Sequence, residues 1–153
     1  MPDKKSNPKA FDASDWDARE FEWTGKSFYY ISIINIFGKP FGLSEKLVDL
    51  NRELRQNGYR PLNNIVLIEH ALFKGKIMVE VEKLDKYDDH LLTFEIQTTA
   101  DSIVIHTGMS GLAKGVERLK QRIVNRRDMN PRGIYYWLVN SLGSSQIVVF
   151  GLT

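Results

Sequence analysis

Apolar positions along this chain follow two rhythms, a strand-like run and a helical stripe, and the whole alternation occurs twice. From Phe28 to Phe37 most residues are β-branched or aromatic, and Phe21-Glu22-Trp23 with the turn Thr24-Gly25-Lys26 predicts a hairpin entering that buried strand. After Gly38 to Gly42 the rhythm changes. Leu43, Leu47, Leu50 and Leu54 are spaced four, three and four apart, one face of a helix that Asn57-Gly58 ends. Ile65 to Leu72 and Lys76 to Leu84 then predict two strands around a turn at Lys74-Gly75. A charged loop, Asp85 to His90, leads into the second pass: strands over Leu91 to Gln97 and Ser102 to Thr107, then the stripe Leu112, Val116, Leu119, Ile123. That helix ends near Arg127 with Ser110 as its N-cap. Strands over Gly133 to Val139 and Gln146 to Leu152, joined through Leu142-Gly143-Ser144, complete it.

One offset relates the two passes. Gly42 and Gly111, Leu50 and Leu119, and Leu54 and Ile123 are each 69 apart; Gly38 and Gly108, Pro61 and Pro131, and Ile77 and Ile147 are each 70 apart. Chance matches one glycine easily, but rarely a pre-helix glycine, a stripe, a post-helix proline and a final strand together. The expected fold class is α+β: tandem duplicated β-α-β-β units forming an antiparallel sheet with two helices on one face and a groove between the halves. Residues 1–18 are polar and mixed in charge, with only Phe11 and Trp16 as anchors, which predicts a flexible arm. Residues 19–153 are expected to form one domain, its halves at about 19–84 and 91–153.

Composition narrows the function classes. Of 153 residues, 42% are hydrophobic and 26% charged, an ordinary globular balance. Cysteine is absent, which removes disulfides, thiolate metal sites and a thiol nucleophile. No apolar run is long enough for a signal peptide or a span, so a cytoplasmic location with no membrane partner is expected. A net charge of +2 is too small for the footprint of a dedicated nucleic-acid binder.

Three features carry a family likeness: the strand Ser102-Ile103-Val104-Ile105-His106-Thr107-Gly108, ending in His-x-Gly before an amphipathic helix; Pro131; and the aromatic strand Ile134-Tyr135-Tyr136-Trp137-Leu138. With Phe37-Gly38 and Val79-Glu80-Val81-Glu82 in the first half, the pattern over roughly 28–153 resembles the gyrase-inhibitor-like (SOUL-type) effector-binding domains, which occur on multidrug-responsive transcription activators and as free-standing proteins. The resemblance implies a small-molecule groove between the repeats. Two departures stand out. Met109-Ser110 and Lys39-Pro40 replace the family's Pro-Tyr, and Tyr135 stands where many members carry a glutamate, which weakens the implied preference for cations.

The face opposite the helices is the natural ligand groove, and strand alternation puts Tyr135, Trp137 and Val139 on one side of their strand, matched through the offset by Ile65, Leu67 and Glu69. Glu69 interrupts an apolar strand, so it pairs with a ligand amine or emerges into solvent near His70 and Lys74. Tyr30, Leu67, Glu69, Tyr135 and Trp137 are the ligand-binding candidates, with a small amphipathic, cationic or planar organic molecule as partner. Glu80 and Glu82 read as a solvated sheet face. The sequence calls for no cofactor, no metal and no catalytic residue: His70, His90 and His106 lack ligand spacing, and Asp85, Asp88 and Asp89 lack a calcium loop's glycine and glutamate. Two alternatives remain at this stage, a hydrolase using a Glu–Tyr pair in the groove and a protein-interaction role such as modulating a topoisomerase. The basic second helix, from Lys114 to Arg127, reads as a solvated face more readily than as a phosphate site.

Overall fold

The computed structural model describes residues 10–140 and 145–153. Its strands are β1 (Arg19–Glu22), β2 (Ser27–Ile36), β3 (Lys39–Pro40), β4 (Pro61–Glu69), β5 (Lys74–Val81), β6 (Leu91–Thr93), β7 (Thr99–Ile105), β8 (Gly133–Leu138) and β9 (Ile147–Leu152). Two helices, α1 (Leu43–Gln56) and α2 (Leu112–Arg127), follow β3 and β7. The strands make one antiparallel nine-stranded sheet in the order β1-β7-β9-β8-β4-β5-β2-β3, with β6 also on β2. The chain is therefore α+β with a large antiparallel sheet.

Alternation along each strand divides the core into two layers. Tyr29, Ile31, Ile33, Ile77, Val79, Ile105 and Val149 pack against Leu50 and Leu54 of α1 and Leu119 and Ile123 of α2. Each such fully buried aliphatic side chain stabilises the fold by about 1.5–3 kcal/mol. The opposite layer, free of helices, holds Phe28, Leu67, Met78, Tyr135, Val148 and Phe150. Close approach of α2 to the sheet depends on two glycines. A Cβ on Gly115 would stand 2.7 Å from the Ile105 side chain, and one on Gly151 would strike Ile123. α1 ends as the sequence predicts, at Asn57 followed by Gly58 in the left-handed region at φ +75°.

The structure differs from the sequence reading at several joints. β1 does not fold back on β2; it crosses to pair with β7, Arg19 opposite Ser102 and Glu22 opposite Thr99. β6, read as the start of the second half, instead pairs with β2. Each predicted half thus lends a strand to the other's edge. Lys74-Gly75 is not a turn but the start of β5, where Ile33 faces Gly75 and Ile34 faces Lys74. Ser110 does not cap α2: it lies in a 3-10 turn, Gly108–Gly111, and its hydroxyl donates to Thr107 O at 2.9 Å. The connection expected at Leu142-Gly143-Ser144 lies outside the described residues, as does the first half of the expected arm.

Residues 10–18, for which the composition predicts a mobile arm, are packed on the helix-free face. Trp16 carries them: its ring lies 5.2 Å from Trp137, 5.3 Å from Phe21 and 6.0 Å from Phe150. Ser102 Oγ donates to Trp16 O, and Val104 N–H donates to Asp17 Oδ1 at 2.9 Å. Two polar anchors and one large ring together fix a segment too polar to seem structural on its own.

Candidate functional site

Strand alternation puts all five candidates, Tyr30, Leu67, Glu69, Tyr135 and Trp137, in the helix-free layer or on strand positions in phase with it. The structure does not gather them into one site. A cavity of about 280 Å³ opens over the first half of this face, and of the five only Leu67 lines it. Its floor is Leu67, Ile65, Phe28 and Phe150, and its far wall is Trp16, Phe21 and Trp23 from the N-terminal segment that enters the sheet as β1. Phe28 and Trp23 hold each other at 5.4 Å, and Trp23 meets Phe150 at 5.4 Å, so the walls form one aromatic frame.

Polarity in this cavity comes from Glu80, Lys26, Asn63 and Glu22. Glu80 extends from the C-terminal end of β5, one residue before Val81, with its side chain only 15% exposed. One carboxylate oxygen accepts from Lys26 Nζ at 2.9 Å and the other from Asn63 Nδ2 at 3.3 Å. Asn63 is itself oriented by the Ile65 N–H, which donates to its Oδ1 at 2.9 Å. Glu22 is fully solvated, and hydrogen bonds from the Thr24 hydroxyl and N–H hold its carboxyl below the usual range. A carboxylate set among rings, neutralised by a lysine 35% exposed, is chemically suited to an organic cation, because another positive group can replace the lysine without leaving a buried charge.

The other candidates form two separate groups. Glu69 and Tyr135 are cross-strand partners of β4 and β8. The Tyr135 hydroxyl donates to Glu69 Oε2 at 3.4 Å and Lys76 Nζ approaches the same oxygen at 3.8 Å. Burial, reinforced by the Glu69 charge, pushes the Tyr135 phenol well above its ordinary pKa. Tyr30 lies beside this group, with Lys76 Nζ 5.5 Å from its ring and its hydroxyl donating to Asp89 O at 2.9 Å. Trp137 is covered by Phe11 and Trp16 and lines a second cavity, of about 510 Å³, together with those residues, Phe21 and Val139. Trp16 and Phe21 are the common wall of the two cavities.

Sequence reasoning missed Glu80 because its alternation with Val79 and Val81 is the signature of a solvated face. Lys26 gave no signal beyond a turn. The basic helix face is partly consumed by internal pairing: Arg127 donates to Asp101 at 2.7 and 3.2 Å, and Arg126 pairs with Glu20, which ties β1 and β7 to α2. Among the described residues, no group of three or more histidines and acids is placed to hold a metal ion, and no helix is long and apolar enough to cross a membrane.

No protein-family model matches this chain, and no curated protein matches it. Among solved structures the chain is similar to the crystal structure of the EcmrR C-terminal domain, with a TM-score of 0.61, 12% identity, and coverage of 90% of this chain and 98% of that one. A likeness at that identity is one of fold, and it does not extend to the gyrase-inhibitor-like or SOUL name.

Proposed function

We propose that this domain binds a small amphipathic organic cation in the aromatic cavity of the helix-free face, with Glu80 as counter-charge and Trp23, Phe28 and Phe21 as walls. The carrying observation is Glu80 itself, a carboxylate 15% exposed inside a cavity of about 280 Å³. That volume lies near the lower end of small-molecule sites, roughly 300 Å³. Glu69, the acid first singled out, sits with Tyr30, Tyr135 and Lys76 as a flanking polar patch, and Trp137 belongs to the neighbouring cavity.

The two halves are read as tandem copies meeting at β4 and β8. Ile68 pairs with Tyr136 and Glu69 with Tyr135, a register that continues to Leu67 opposite Trp137, two residues 70 apart. An offset of 70 makes that pair equivalent to itself under a two-fold axis, which supports a dyad there. The strand order supports it too, since β2-β5-β4 on one side mirrors β7-β9-β8 on the other.

A thermal-shift series tests the binding reading. Lipophilic quaternary ammonium compounds should raise the melting temperature more than neutral planar compounds of equal size; no stabilisation by either set would sink it. A second reading, acid-base hydrolysis without a cofactor, is favoured by the Tyr135–Glu69 contact alone. Turnover of activated esters that disappears in Glu69→Gln, with cation binding intact, would select it.

A further inference from the structure

Two loop tips at the β3 corner of the sheet are built from large apolar side chains that face water. Ile34, Ile36, Phe37 and Phe41 come from the β2–β3 hairpin and the residue after it, and Leu72 and Phe73 from the turn between β4 and β5; they are 50–81% exposed. These are six of the eleven large hydrophobic side chains exposed among the described residues, drawn from two short segments, 34–41 and 70–76. Backbone bonds join the tips into one knob. Gly38 N–H donates to Leu72 O at 3.1 Å and Phe41 N–H to Ile34 O at 2.9 Å, and the Phe37 and Phe73 rings stand 6.2 Å apart.

Phe37 is the most exposed of the six, at 81%, and it holds a left-handed backbone at φ +48°, a conformation that bulky side chains rarely adopt. Charge adds a direction to the patch. The two segments carry Lys39, Lys74 and Lys76 and no acidic residue. The flanking acids are Glu69, which Lys76 approaches at 3.8 Å, and Glu45 in the first turn of α1.

We propose that this corner docks on an anionic lipid bilayer, with the apolar tips entering the headgroup boundary and the lysines at the phosphates. Three arguments select that occupant. Phe37, Phe41, Leu72 and Phe73 stand on loops and Ile34 and Ile36 at the end of β2, and a fluid surface accepts such a knob without a shaped recess, to a depth of about 5–10 Å. A two-fold contact centred on this knob would bring the lysines of both copies, and no acidic residue of either segment, into one interface, which like charge opposes. A basic rim around an apolar centre matches phosphate headgroups above acyl chains, where lysine stems extend along apolar surface with the ammonium in water. The expectation of no membrane partner rested on the lack of a spanning run, and attachment by loop tips requires none.

The test is vesicle flotation with the full chain. Vesicles of phosphatidylglycerol mixed with phosphatidylcholine should carry the protein at low salt, and phosphatidylcholine alone should bind it at least about tenfold less. The double variant Phe37→Asn/Phe73→Ser, with asparagine chosen because it tolerates the left-handed backbone, should lose flotation while keeping the wild-type melting temperature. Lys39→Glu/Lys74→Glu should abolish the preference for the anionic lipid. The proposal is overturned if the anionic vesicles fail to float the protein, or if Phe37→Asn/Phe73→Ser floats as well as wild type. It is also overturned if sedimentation shows a dimer that this variant splits, which would make a second copy the occupant. Binding to polyglutamate in place of vesicles would assign the tips to an acidic protein.

Discussion

Two strand positions of the helix-free face, Glu80 on β5 and Phe150 on β9, stand 70 apart in the sequence and differ in what surrounds them. Phe150 is 2% exposed and meets Trp16, Phe21 and Trp23, so its place on β9 is covered by aromatic packing from the N-terminal segment. Each half also has one notable ion pair. Arg127–Asp101 holds a carboxylate 3% exposed beneath the second half's edge, whereas Lys26–Glu80 sits at a cavity rim with its lysine 35% exposed. One position is thus filled by a covered ring and the other by a carboxylate at a cavity rim.

The sharpest way to break that distinction is to remove the covered ring. Phe150→Ala should lower stability by about 3–5 kcal/mol, the cost of deleting a buried ring, read from urea denaturation. A loss below about 1 kcal/mol would mean that the second half is not held by its aromatic layer. Arg127→Ala follows, at about 3 kcal/mol, because it leaves the Asp101 carboxylate, 3% exposed, without its bidentate partner. Arg126 keeps Glu20 paired in that variant, which places this effect at the lower end of the range for a broken buried pair.

Local rhythm made the framework legible. The stripes Leu43 to Leu54 and Leu112 to Ile123, the stop at Asn57-Gly58 and the strand-rich runs all follow from side-chain period and turn chemistry, which act within one element. What the chain does between elements was not legible. The turn Thr24-Gly25-Lys26 is as good a hairpin signal as any, but β1 pairs with β7 because Phe21 and Trp16 find more apolar surface over Phe150 than beside β2. Leu91 to Thr93 joins β2 for the same kind of reason, with Leu92 and Phe94 packing into the layer around Phe28 and Trp23. For the site, alternation located the face that carries Tyr30, Leu67, Glu69, Tyr135 and Trp137. It did not reveal that Trp16 divides this face, since no local pattern encodes which distant ring will cover a strand, and it concealed Glu80 behind the look of a solvated strand.

Removing that divider sharpens the contrast from the other direction. Trp16→Ala should cost about 2 kcal/mol, less than Phe150→Ala because the ring is only half-buried. It should also join the cavities of about 280 and 510 Å³ that share Trp16 as a wall, so that longer cations stabilise the variant more than they stabilise the parent. Equal ranking of long and short ligands in both proteins would show that Trp16 does not set the length limit.

The smallest effect on stability should carry the largest functional signal. Lys26–Glu80 is exposed enough on the lysine side that breaking it should cost no more than about 1 kcal/mol, and both Glu80→Gln and Lys26→Met should melt close to wild type. Their effects on cation affinity should point in opposite directions. Glu80→Gln removes the counter-charge and should weaken a lipophilic cation by about tenfold, equivalent to 1.4 kcal/mol. Lys26→Met removes the group that competes for the same carboxylate and should tighten it. Parallel changes in the two variants would show that the ion pair acts as a strut for the cavity wall; opposed changes would show a carboxylate whose internal partner gives way to the ligand, which the ring at Phe150 cannot do.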